Sequence, residues 1–218
     1  MADRAAVAAG LLCGSSVAVL VVGRSWQQKR ATGSSGFRGF TGMRSGAADR
    51  VGGLSFGVAV TAGLLSPVLA ATGRLPLRSR STSMVWAGGA VAAGGIVLAS
   101  LAQQTMGESW RIGVDPAEQT ELVTGGVFSA VRNPICTAMV VVQAGTAVMA
   151  PTWLSVAGVV ALVTAVEVQT RLVEEPYLAR AHGDTYAGYA YLTGRFIPLV
   201  GRPNVRSLMK FGTGEARA

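Results

Sequence analysis

The chain reads as an all-α integral membrane protein of about five transmembrane helices, the last two forming a hairpin, followed by helices that lie along the membrane surface. Three observations predict this. Of 218 residues, 50% are hydrophobic and only 14% are charged, against about 25% charged in an ordinary soluble domain. The apolar residues gather in runs close to the ~20 residues that a bilayer crossing needs. Lys and Arg are concentrated in particular connecting segments, as the positive-inside bias requires.

The first apolar run covers residues 5–23. It is longer than the apolar core of a secretory signal and lacks a small-residue cleavage site, so it is expected to be a retained helix. Leu11-Leu12-Cys13-Gly14 hints at a lipoprotein signal, but bulky Leu12 before the cysteine fits that cleavage poorly. Residues 24–50 are rich in Gly, Ser and Arg without periodicity, which predicts a basic loop. The second run is Val51 to Gly73 and the third Met84 to Ala102, where Gly88-Gly89 and Gly94-Gly95 allow close helix approach. Pro134 can start the fourth helix, whose apolar stretch runs from Thr137 to Ala150. Pro151, in the turn or at the first helical position, separates it from Thr152 to Val168, giving the hairpin.

The loop from residue 24 to 50 carries Arg24, Lys29, Arg30, Arg38, Arg44 and Arg50 against one acid, Asp49, so it is expected in the cytoplasm and the N-terminus outside. Residues 103–136 and everything from Glu174 onward then fall inside. The tail agrees, with Arg195, Arg202, Arg206, Lys210 and Arg217, whereas Arg74, Arg78 and Arg80 would face outward against the rule. The formal charge of +8 follows from this bias and from attraction to anionic headgroups. Aromatic residues do not interleave with the basic ones, so no nucleic-acid partner is expected. Cys13 and Cys136 fall at opposite membrane levels and should not pair, and a lone His182 leaves a zinc or haem centre without ligands.

Most polarity follows the third helix. Three clusters are expected to converge on the inner side. The first is residues 120–128, Thr-Glu-Leu-Val-Thr-Gly-Gly-Val-Phe, an extended stretch broken by a glycine turn. The second is residues 129–136, Ser-Ala-Val-Arg-Asn-Pro-Ile-Cys, whose helix start could favour an anion. The third runs from Arg171 to Pro198. Charges at membrane depth cost ~2.5–3.5 kcal/mol each on insertion scales, so adjacent Glu174 and Glu175 call for partners. Arg171, three and four residues before them, can pair with either, and Glu167 shares the face of Glu174. Pro176 predicts a kink, and the helix after it suits the interface, with Tyr177, Tyr186, Tyr189 and Tyr191 as a membrane aromatic belt.

Leu122-Val123-Thr124-x-Gly126-x-Phe128, Arg132-Asn133-Pro134, Glu174-Glu175, Gly183-x-x-Tyr186-x-x-Tyr189 and Arg195-Phe196-Ile197-Pro198 resemble, in order and spacing, the isoprenylcysteine carboxyl methyltransferase family and its phospholipid methyltransferase relatives. The resemblance covers roughly residues 103–200. It implies one structural domain with a three-helix transmembrane scaffold over 1–102, a catalytic region over 103–200 and a basic tail over 201–218. It further implies an S-adenosylmethionine-dependent methyltransferase, releasing S-adenosylhomocysteine, with a cytosolic cofactor-binding loop and a lipophilic acceptor arriving from the bilayer. By the same resemblance the cofactor is contacted by Thr120, Glu121, Leu122 and Val123 through backbone, by Phe128, by Asn133, Pro134, Ile135 and Cys136, and by Glu175 and Tyr186. Arg171 and Glu175 take the catalytic roles, and Arg171, Glu167 and Arg132 the substrate side. Asn133 and Cys136 depart from the family's usual His and Tyr. Asn cannot act as a titrating base near neutral pH. The competing readings are a nicotinamide-dependent sterol-type reductase, whose relatives lack the adjacent Glu pair, and a non-catalytic lipid sensor. A transporter is disfavoured, because there is no internal repeat.

Overall fold

A computed structural model describes residues 3–33, 47–107 and 121–203. Thr120 and the acidic residues between 108 and 118 lie outside the described residues, as do residues 34–46 and the tail from 204.

The first apolar run forms α1, Arg4–Val17, capped by Asp3, whose Oδ1 accepts the Ala6 amide at 2.9 Å. It continues through a π-helical turn, Ala18–Gly23, into α2, Arg24–Thr32. The sequence places residues 24–50 in a loop, so α2 is a correction. Arg, Gln and Lys are good helix formers, and the break comes only at Gly33, in the left-handed region at φ 78°. The Gly and Ser that give this segment its loop-like composition lie beyond it.

The second run forms α3, Ala47–Ala71, with Pro67 inside it, and the third forms α4, Thr82–Met106. Pro134 is the first residue of α5, Pro134–Met149. Pro151 sits in the turn, and Thr152 caps α6, Trp153–Val168, through a reciprocal pair of bonds with Ser155. A second π-helical turn, Gln169–Glu174, leads into α7, Glu175–Leu192, bent at Gly183 where φ is 50°. Among the described residues there are no strands, and four helical stretches are long and apolar enough to cross a membrane. The shorter apolar helix α5 completes the five. The protein is an all-α integral membrane protein.

α4 packs along α5 and α3 along α6. Small residues set these approaches: a Cβ on Gly145 would lie 2.6 Å from the Gly88 carbonyl oxygen, and one on Gly95 would meet Val142 at 2.8 Å. Gly94, by contrast, faces open space. In the α3–α6 layer the Gln143 side chain donates to the Ala59 carbonyl at 2.9 Å, close against Gly63 and Gly158. Buried Ser66 and Thr152 hydroxyls meet at 2.7 Å.

This packing gives the bundle two distinct ends. At one, Arg80 holds Asp3 at 2.6 and 2.7 Å and the Arg78 amide donates to Pro151. Arg80, one of the three cations that break the loop-charge rule, is thereby neutralised. At the other end Arg24 donates to the carbonyls of Gln103 and Gly107, and the Gly126 turn abuts Thr105. The candidate site lies at this second end.

Candidate active site

Each of the three polar segments has a local reason for its shape. Gly125 is extended and Gly126 adopts φ 57°, turning the chain into the short 3-10 helix Gly126–Ser129. Only glycine enters that region without strain. Phe128 is thereby buried. Residues 131–133 then run beside residues 194–195: the Arg132 amide donates to Gly194 at 2.8 Å and the Asn133 amide to Arg195 at 3.1 Å. Gly194 is required there, since a Cβ would come within 2.0 Å of the Ile197 carbonyl. The loop back from Arg195 closes with its amide on Val200 at 2.8 Å.

Arg132 is buried where these strands of chain meet. Its Nη1 donates to the Ala190 carbonyl at 2.9 Å and to that of Thr193, and its Nη2 donates to Glu175 Oε1 at 2.8 Å and to Gly201 at 3.1 Å. Arg195 grips the same carboxylate from the other side, with Nε on Oε1 and Nη2 on Oε2, both at 2.8 Å. Such a two-pronged pair is the strongest geometry open to a guanidinium and a carboxylate. The bonds to Glu175 raise the pKa of Arg195, and the nearby charges of Glu175 and Glu167 add to this while burial opposes it.

Tyr189 ties the first segment to the third, its hydroxyl donating to the Phe128 carbonyl at 2.7 Å. Its ring stands edge-on to Tyr186 with centroids 6.3 Å apart. Tyr186 is buried with Ala179 and Ala190, and Leu122 packs against this cluster. The aromatic-belt reading therefore fails for Tyr177 and Tyr186, which are buried, and for Tyr189, which is bonded inward; Tyr191 alone of the four is exposed.

The expected pairing of Arg171 with Glu175 is corrected: Arg171 Nε bonds Glu167, one turn earlier. Glu followed by Arg four residues later is the better order on a helix, and Glu175 is already held by two arginines. The pair is half-exposed on the outer face of the helix end. Asn133 caps α5 without a side-chain bond to it, and its Nδ2 reaches the Arg195 carbonyl at 3.3 Å. The amides of residues 132 and 133 are thus taken by residues 194 and 195, and not presented to an anion. Cys136 packs partly against the Ala59, Leu162 and Val166 cluster, with Glu174 and Thr170 beside it. Pro134 is fully buried, Ile135 and Val123 are half-buried, and Glu121 is exposed. His182 takes no part in this network.

The three segments therefore converge as expected, around Arg132, Glu175 and Arg195. Sequence reasoning missed the part of Arg195, quoted there only within a motif. An Arg directly after a Gly that must make a tight turn was the available signal. Among the described residues no group of His, Cys, Asp and Glu could hold a metal ion.

Comparison with known proteins places this geometry. No curated protein matches the chain. Residues 83–185 match the family described as phospholipid methyltransferase. The match begins in α4, inside what the sequence marks as scaffold, and ends in α7 before Tyr186, so the Arg195 loop lies beyond it. Over these residues, which include Arg132 and Glu175, the chain is similar to the phospholipid methyltransferase family, part of the isoprenylcysteine carboxyl methyltransferase and phospholipid methyltransferase family of membrane enzymes.

Proposed function

We propose that this protein transfers a methyl group from S-adenosylmethionine to a lipophilic acceptor that reaches the site from the bilayer. The observation that carries the reading is the meeting of Glu175 with Arg132 and Arg195, at the point where all three polar segments converge. One carboxylate between two guanidiniums presents both signs of charge within a few ångströms, which suits the zwitterionic amino-acid end of the cofactor. Arg132 Nε, buried and without a hydrogen-bond partner, is a further donor in the same place. The residues present fit the group.

When bound, the cofactor supplies a methyl already activated on sulfonium sulfur. The protein's work is alignment and exclusion of water. Glu175 receives the ammonium group, Arg132 and Arg195 hold Glu175 in place, and Leu122, Phe128 and Tyr186 wall the site with apolar surface. Glu167 and Arg171, on the outer face, take the acceptor side. Arg171 suits an anionic acceptor because its planar fork matches a carboxylate. An anionic acceptor needs no base, which accords with Asn133 in the place of a titrating histidine. The site is assigned to the cytosolic face, supported by Arg24, Lys29 and Arg30 at its end of the bundle and by the neutralisation of Arg80 at the other.

Purified protein in bilayers is titrated with S-adenosylhomocysteine and with NADPH, then incubated with labelled S-adenosylmethionine and a membrane extract. Binding of S-adenosylhomocysteine and label entering a lipophilic product are expected, with both lost in Glu175→Gln and transfer alone lost in Arg171→Ala. Binding of NADPH alone would overturn the proposal. Cofactor binding without transfer to any extract would replace it with a sensor.

A further inference from the structure

At the same end of the bundle a second cleft, of about 160 Å³, opens between the π-helical turn after α1 and the end of α4. It is lined by Val19, Leu20, Arg24, Gln27, Ser100, Gln103 and Gln104. Gln27 and Arg24 lie outside the family-matched residues 83–185, and none of the seven belongs to the site around Glu175.

Five of these seven residues are polar, where α1 and α4 otherwise present mostly small and aliphatic side chains. The π-helical turn contributes to this. Such turns disturb the regular ladder and gather at functional places, and here the Leu20 carbonyl accepts the Gln103 side chain at 2.6 Å. That bond ties α4 to the turn at the floor of the cleft. Arg24 joins the same corner through the carbonyls of Gln103 and Gly107. Of the charges in residues 3–33, Arg24, Lys29 and Arg30 are at this end, while Asp3 and Arg4 are at the far one. Among the described residues the charge of this part of α1 and α2 is therefore positive.

Depth is marked independently. Trp26 is exposed with Arg30 stacked on its ring at 3.6 Å, the arrangement of an interfacial anchor. On the membrane side the cleft is edged by exposed Val19, and Val97, about one turn before Ser100 on α4, is exposed as well. A ligand here meets a cationic, amide-lined pocket at headgroup level and an aliphatic wall directly below it. Basic pockets between transmembrane helices take lipid headgroups for this reason.

We propose that this cleft binds the phosphate of an anionic membrane lipid, whose acyl chains lie along Val19 and Val97. The lipid clasps α1 to the end of α4, next to Thr105, against which the Gly126 turn rests.

The test uses the full chain in phosphatidylcholine nanodiscs with or without phosphatidylglycerol. Wild type is expected to retain phosphatidylglycerol in native mass spectrometry and to melt several degrees higher when it is present. Arg24→Gln removes the charge. Gln104→Trp, at an exposed position that tolerates a large residue, and Ser100→Leu fill the cleft without touching Arg24. The filled variants should melt like wild type in phosphatidylcholine and lose both the retention and the shift. Retention by the filled variants equal to wild type, or no preference in wild type, overturns the proposal. A shift of the same size from inorganic phosphate in phosphatidylcholine overturns the lipid assignment in favour of a free anion.

Discussion

Arg132 carries more of the site's integrity than any other single side chain. Its guanidinium joins the end of α7, the Gly201 turn and Glu175. Removing one member of a buried ion pair costs about 3–5 kcal/mol; because Arg195 remains on Glu175, Arg132→Met should fall near the lower bound, read as a lowered Tm in neutral lipid. Arg195→Lys keeps the charge and loses the fork, so it should cost cofactor affinity while sparing most of the stability, measured by titration with S-adenosylhomocysteine. At the opposite end, Asp3 has a pKa held below its ordinary 3.8, chiefly by the Ala6 amide, with Arg80 adding and burial opposing. A carboxylate whose folded pKa is depressed stabilises fully above its ordinary pKa, and that contribution is lost as pH falls through the lowered value. The Tm difference between wild type and Asp3→Asn should therefore be constant near neutrality and vanish on acidification through the lowered value, below the ordinary 3.8.

Between elements, fit is decided by absent side chains. Gly145→Ala would drive a methyl into the Gly88 backbone, and overpacking of this kind costs about 1–3 kcal/mol or more. Gly94→Ala, in the facing helix α4 and beside the packed Gly95 but itself facing open space, should be neutral or stabilise by up to about 1 kcal/mol. Melting of the two variants side by side checks this contrast. It also marks what the sequence could tell: the Gly pairs of the third helix were legible as packing positions, but which member faces α5 depends on the rotation of α4. The helices and the Pro134 start were legible because apolar length and proline chemistry are local. The Arg171 partner was not, because helical spacing permits a pair without selecting it, and the competitor for Glu175 comes from Arg195, 20 residues on. The burial of Tyr186 and the bond from Tyr189 were hidden for the same reason, since their partners come from the Gly126 turn and α7 itself.

For the whole molecule, the helical stretch that begins at Trp153 continues through Glu175 to a kink at Gly183. At 1.5 Å per residue the part before the kink is about 45 Å long, more than the ~30 Å hydrocarbon thickness, so it spans and then leaves the membrane near Glu175. Its neighbour is very different. α5 has 16 residues, about 24 Å, and falls short of the ~30 Å hydrocarbon layer by about 6 Å. With Pro151 at one end and Asn133 at the other, nothing in the chain can extend it. A stretch this short favours a thinner bilayer along its flank, at a cost of fractions of a kcal/mol per Å of mismatch. In phosphatidylcholines of increasing acyl length, Tm should therefore pass through a maximum at the shorter chains, and a maximum at long chains would contradict this. The hairpin then bears on its surroundings as well as on the fold: a bilayer thinned to match α5 has its surface nearer to Arg132 and Glu175, which shortens the path from the leaflet to the site.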